Sequence, residues 1–273
     1  MQIDELIKRY RNLKQDPASG GFGVRAVRDL LVTELTGNLC MVVACDSDGG
    51  IGPKKGDTFF CPGYTLGRLA ARVPMMELLA SGAVPVLVVD VLSVEMEPTG
   101  KEIIMGVREE VALSGLRAES VVTGSTEDNV STTQTGMGVV AIGFVENGDF
   151  RPGRSLDGDM VISLGIPKSA PSDTISLTDP DIADIWSIRQ LNQLEYVHDI
   201  LPVGSKGIFH EFNELAESAG LIPELNDDLC VDVRKSGGPS TTVLVSLPGE
   251  KITAIKTIFS QPVNIIGKLR KRK

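Results

Sequence analysis

The sequence predicts an α/β (α+β) chain of two domains, on three observations. Its 273 residues, 42% of them hydrophobic, are ample for two cores of ordinary size. Aromatic content is only 4% against 29 glycines, so the core is built from Val, Ile, Leu, Ala and Met rather than from stacked rings. Short apolar runs alternate with helix-spaced segments, and the alternation pauses at "ENGDFRPGRSLDGD" (146–159), which reads as a linker. The expected domains are 1–148 and 149–273.

Residues 3–14 have helical spacing, with Ile3, Leu6, Ile7, Tyr10 and Leu13 on one face. The helix stops at "QDPASGGFG" (15–23), and "VRAVRDLLVTEL" (24–35) is helix-spaced again. A glycine loop is thus expected to open a helix N-terminus, where free N–H groups suit an anion, although a plain interhelical loop fits the same residues. It is not a Walker-type phosphate loop. "LCMVVAC" (39–45) predicts a buried strand that delivers Asp46 and Asp48 to its carboxyl end, followed by Gly49, Gly50 and Gly52, where backbone can approach a ligand closely. Carboxylates so spaced repel unless a cation lies between them; a solvated turn is the alternative.

Residues 65–82 predict a helix kinked by Pro74 and stopped by Gly82. Within it Glu77 sits among Met75, Met76, Leu78 and Leu79, company in which a carboxylate needs a partner. "AVPVLVVDVLSVE" (83–95) is a strand in which Asp90 is expected to be paired internally, and 100–116 is a second helix. Two strands then flank an acidic, hydroxyl-rich stretch inside 121–145 that is longer than a chain reversal needs. After the linker come a strand at 159–167, an acidic loop to Asp184 and a helix over 186–196. A second candidate anion-binding turn, Gly204, Ser205, Lys206 and Gly207, opens an amphipathic helix. "STTVLVSLP" (240–248), a helix-like 250–261 and "VNIIGKL" (263–269) close the unit.

A net charge of −9 argues against nucleic-acid binding, and the terminal "KLRKRK" reads as a frayed solubilising tail. No segment approaches the ~20 apolar residues of a membrane span, and the N-terminus has no signal-peptide block, so a cytoplasmic location is expected. Cys40, Cys45, Cys61 and Cys230 lack metal-ligand spacing, and His198, beside Asp199, reads as a solvated loop residue.

Three acidic elements, "CDSDGG", "MMELLASGAVP" and "GSTEDN", fall at the ends of regular structure, and their carboxylates in one cleft would demand metal ions. Their order, with "MELLASGAVPVLVVDVL" similar to N/S-D-x-x-x-x-G-A-x-P, "TGSTEDN" similar to G-G-E/D-T and "LPVGSKGIFHEFNELAESAGL" in the second half, resembles the aminoimidazole ribonucleotide (AIR) synthetase superfamily. The resemblance implies a two-domain AIR synthase-like (PurM-like) fold, with the N-terminal mixed sheet closing a β barrel across a homodimer, and with ATP and Mg²⁺ bound nearby. It places Asp46, Glu77 and Glu127 as metal ligands and Asp46, Asp48 and Asp128 as catalytic candidates. Gly20, Gly21 and Gly23 would cover the phosphates. Gly49, Gly50, Gly124, Ser125, Thr126, Gly204, Ser205, Lys206 and Gly207 would complete the nucleotide site. An N-terminal Cys-Lys pair, a C-terminal cysteine and a G-D-D-A-A segment, each diagnostic of another member, are missing. The compact chain looks most like the α-ribazole kinases of cobalamin salvage, with a nucleoside-like acceptor. Thiamine-monophosphate kinase, another ATP-dependent synthetase of this type, or a non-catalytic nucleotide-binding regulatory protein are the alternatives.

Overall fold

The computed structural model describes residues 2–18 and 22–272. Helix α1 (Gln2–Gln15) precedes an antiparallel meander, β1 (Val24–Val27), β2 (Leu30–Glu34) and β3 (Leu39–Gly49). A short parallel pair follows, β4 (Ile51–Gly52) with β5 (Phe59–Phe60), then α2 (Gly63–Ala80), β6 (Val84–Leu92), α3 (Lys101–Ala112), α4 (Ala118–Val121), β7 (Val122–Ser125) and β8 (Gly136–Glu146). The first sheet has the order β1-β2-β3-β8-β6-β7, in which only β6 and β7 run parallel.

The helix expected over 24–35 is instead the β1–β2 hairpin. Its tip is Arg28 and Asp29, with Arg28 in the left-handed region at φ 54°. Leu30 and Val32 are buried and Leu31 is exposed, the period of a strand covered on one face. A strand, not a helix N-terminus, therefore follows the glycine loop, so that part of the anion argument falls. Gly20 and Gly21 lie outside the described residues, and Gly23 has φ 61°.

The second sheet contains β9 (Met160–Leu164), β10 (Asp199–Pro202), β11 (Leu221–Leu225), β12 (Val243–Leu247) and β13 (Val263–Lys271), in the order β10-β12-β9-β13-β11. Helices α5 (Ile185–Asn192), α6 (Gly207–Ser218) and α7 (Ile252–Ile258) complete this half. The basic stretch read as a frayed tail is β13 up to Lys271, paired with β11 along its length and with β9 at Lys268. Asp184 starts α5 through a capping box with Ser187.

Helices α2 and α3 pack backbone to backbone. A Cβ at Gly67 would stand 2.0 Å from the Ile103 carbonyl oxygen, and one at Gly106 2.1 Å from that of Tyr64. This contact buries Glu110, which accepts from Arg72 Nε at 2.7 Å and Arg68 Nε at 2.6 Å. Helix α2 runs through Pro74 without interruption, and Gly82 turns the chain at φ 85°. The larger core passes from the first sheet (Val42, Ala44, Val88) through α2 (Met75, Met76, Leu78) into α5 and the second sheet (Ile188, Ile162, Val245). A smaller core under α6 covers the other face of the second sheet, around Phe212, Leu244 and Leu269. The opposite face of the first sheet is left apolar and open, with Leu31, Val84, Val91 and Phe144 exposed. No helix among the described residues is long and apolar enough to cross a membrane.

Candidate active site

Strand β3 buries Cys40, Val42 and Ala44 against the helices. Because side chains alternate, Asp46 and Asp48 continue that same covered face. Glu77 reaches it from α2, Asp29 from the hairpin tip and Glu211 from α6. The charges of Asp29, Asp46 and Glu211 all act on Glu77, whose carboxyl is pushed up to about 9, first by burial and then by these neighbours. Its Oε2 is buried and has no hydrogen-bond partner among the described residues. Burial raises Asp48 to about 6, with Asp46 adding to it, and raises Glu211 to about 7, with Asp29 adding and the Gly204 N–H opposing. Asp46 is raised by partial burial, which outweighs its bond from Ser47, with Asp29 adding. A cavity of about 20 Å³ lined by Asp29, Glu77, Ser81 and Gly204 lies at this junction.

Mutual repulsion around an oxygen with no donor is the electrostatic signature of a cation position. A divalent cation such as Mg²⁺ would find hard oxygen donors here in Asp46 and Glu77, with the charges of Asp29 and Glu211 beside them. Among the described residues no three acidic, histidine or cysteine side chains already stand as a coordination sphere. Asp29 and Glu211 were not singled out in the sequence.

Strand register brings the carboxyl ends of β3, β6 and β7 to one end of the sheet, since Asp48 pairs with Met137, Met137 with Leu92, and Val91 with Ser125. The long acidic loop leaves from that end. Glu127 Oε1 accepts from the N–H groups of Asn129 and Val130, at 2.7 and 3.0 Å. Asp128 accepts from Met96 N and from the Thr126 hydroxyl, at 3.0 and 2.8 Å. Further along, Lys54 Nζ donates to Thr132 O and to Glu95, whose carboxyl is drawn down to about 2 by Lys54 and then Thr99. Thr135 donates through both N and Oγ1 to Asp57. The loop is thus pinned to 54–57 and 93–96, and neither Glu127 nor Asp128 is among the charges that shift Asp46, Asp48 or Glu77.

The glycine turns differ in what they offer. Gly50 donates to Thr135 O, and its carbonyl accepts from Thr58 and Phe59, whereas Gly49 has open space where a side chain would stand. Ser125 is exposed and Thr126 half-buried. In the 204–207 turn Ser205 and Lys206 are exposed, while Gly207 is buried at φ 81°. The Gly204 N–H faces Glu211.

Two residues differ from expectation. Asp90, expected to be internally paired, is buried with no hydrogen bond among the described residues. Burial raises it to about 6 against the opposing charge of Arg108. It stands over Gly124, where a Cβ would overlap its Oδ1, in a 250 Å³ cavity with Ser125 and Thr126. His198 is half-buried and holds Asp159 through Nδ1 at 2.8 Å, while Asp199 is fully buried against Arg28. The guanidinium of Arg28 donates to both Asp199 oxygens at 3.1 and 2.5 Å and to Ser218 Oγ at 2.7 Å.

Residues 28–145 match the family model described as AIR synthase related protein, N-terminal domain. No curated protein matches the chain. Among solved structures, thiamine-monophosphate kinase from Stenotrophomonas maltophilia is similar over 99% of this chain and 93% of its own, with TM-score 0.62 and 17% identity. HypE, a hydrogenase maturation protein of E. coli, is similar over 85% and 80%, with TM-score 0.63 and 17% identity. AaThiL complexed with AMPPCP and TMP is similar over 100% and 92%, with TM-score 0.59 and 15% identity. Residues 28–145 thus resemble an AIR synthase-related N-terminal domain, and the whole chain shares the two-domain fold of these structures.

Proposed function

We propose that the chain is an ATP- and Mg²⁺-dependent small-molecule kinase that phosphorylates the primary hydroxyl of a nucleoside-like riboside, with α-ribazole, converted to α-ribazole 5'-phosphate in cobalamin salvage, as the first acceptor to test. The observation that carries the reading is the unpartnered Glu77 oxygen facing the like charges of Asp29, Asp46 and Glu211. When bound, Mg²⁺ neutralises charge on the phosphoryl group being transferred. Asp46 and Glu77 hold it, and Glu127, with Oε2 free of its local turn, is the third ligand proposed. Asp48, raised to about 6, is poised to accept the acceptor's proton near neutral pH; Asp128, with both oxygens engaged, is the weaker base. Gly23 with Gly20 and Gly21, Gly49, Gly50, Gly124, Ser125, Thr126 and the Gly204, Ser205, Lys206, Gly207 turn form the proposed nucleotide cradle.

The fold likeness to thiamine-monophosphate kinase, including AaThiL complexed with AMPPCP and TMP, supports phosphate transfer to thiamine monophosphate as the second reading. A nucleotide-binding regulatory protein would bind ATP without turning it over. The test is incubation with Mg-ATP and a panel of α-ribazole, thiamine monophosphate and formylglycinamidine ribonucleotide, with products read by mass spectrometry and Asp46→Asn as the inactive control. One phosphate added to α-ribazole alone is the expected result. ATP bound but unconsumed with every acceptor defeats the kinase reading.

The apolar open face of the first sheet fits a second copy of itself, and a homodimer closed through that face is part of the proposal. Light scattering on the eluted protein should give twice the chain mass. Phe144→Glu, which sets a charge opposite Met41 and Val84, should give the monomer; a wild-type monomer would refute this part.

A further inference from the structure

A cleft of about 730 Å³ opens where the linker meets the second sheet, lined by Arg151, Arg154, Asn192 and His198 among others. The linker turns Pro152 toward the acidic junction, and Arg151 and Gly153 toward this cleft. Arg151 is half-buried, and its guanidinium donates only to the backbone carbonyls of Val197 and Asn192. Arg154 donates to the Gly148 carbonyl. Neither arginine has an ion pair among the described residues, although Asp149 and Glu195 also line the cleft. Burial and the neighbouring charge of Arg154 work against the Arg151 guanidinium, and the charges of Asp199 and Asp149 offset them only in part.

His198 adds a second feature. Its Nδ1 is fixed by Asp159, itself 4% exposed and also accepting from Leu156 N at 2.7 Å. With Nδ1 held on the carboxylate, Nε2 makes no hydrogen bond among the described residues and is left for a ligand. Asn192 donates to Leu79 O, and its buried Oδ1 has no partner among the described residues. Two cations and an oriented imidazole match a phosphate group.

We infer that this cleft is a second ligand site, separate from the acidic cluster, which takes a phosphate monoester: the phosphate lies on Arg151, Arg154 and His198 Nε2. The site is independent of the kinase reading. Isothermal titration of the full chain with ribose 5-phosphate, without nucleotide or metal, tests it. One saturable site is expected, with inorganic phosphate competing more weakly. Arg154→Gln and His198→Gln should each weaken binding about tenfold, the arginine variant at unchanged melting temperature, and Asp46→Asn should leave it unaltered. No saturable heat up to ~10 mM ligand, undiminished affinity in both cleft variants, or loss in Asp46→Asn would overturn the assignment.

Discussion

Arg28→Ala should lower the free energy of unfolding by about 3–5 kcal/mol, the range for removing one member of a buried ion pair. Asp199 is fully buried, and its carboxylate otherwise accepts only from the N–H groups of Gly153 and Ile200, both at 2.9 Å. Without the guanidinium the carboxyl, which burial already raises, is left with two amides and must either keep an unpaired charge or take up a proton, and both cost stability. The pair also joins the first sheet's hairpin to the start of β10, so the loss falls on the contact between the two halves. The urea midpoint should drop with the slope preserved. Arg28→Gly should lose less, because glycine adopts the φ of 54° without the strain that alanine meets there. A change below about 1 kcal/mol would place the pair in the class of exposed salt bridges and refute its burial in solution.

The second large effect is a pH dependence. Glu77 holds its proton up to about 9 in the folded chain but releases it near 4.5 when unfolded. Between those values the folded state binds more protons, so stability is fully present below about 4.5 and declines as pH rises toward 9. Metal-free thermal melts from pH 5 to 8.5 should show that decline, and Glu77→Gln should flatten most of it. The slope remaining in the variant comes chiefly from Asp48 and Asp90, each raised to about 6, and Glu211, raised to about 7. Added Mg²⁺ should restore wild-type stability at the alkaline end, where a cation replaces the missing proton, and should do so far less for the glutamine variant. Equal slopes in wild type and variant, or no response to Mg²⁺, would remove Glu77 from the proposed metal position.

How much of this could be read from residues alone depended on whether the signal was local. The strand carrying Asp46 was legible because a continuous apolar run can be little else at that length. Glu77 was conspicuous as a carboxylate in a hydrophobic stretch, and Glu211 carried the same signal unnoticed: it shares a stripe with Ile208, Phe212 and Leu215 on α6. Asp29 could not be found while 24–35 was read as a helix, because only the hairpin puts it at a tip. That reading failed because Val24, Val27, Leu31 and Leu35 recur at helical intervals, whereas β3 supplies the burial that decides the strand. "KLRKRK" failed for the same reason: charge suggests solvent, but β9 and β11 offer β13 two rows of backbone partners. Asp90 and His198 required knowledge of what stands opposite them, which lies far away in sequence.

The two sheets also differ in how far apart along the chain their neighbours lie. The first begins with a hairpin and a meander that local collapse can assemble. The second has no hairpin between adjacent strands: Met160 pairs with Leu247, Asp199 with Ser246 and Leu221 with Lys271. Each of those pairings closes a long loop before it gains any contact energy, which makes it slow. Refolding should therefore proceed from the amino-terminal meander, with the second sheet annealing late around β13, and a chain interrupted before that strand would expose the edges of both β9 and β11 to aggregation.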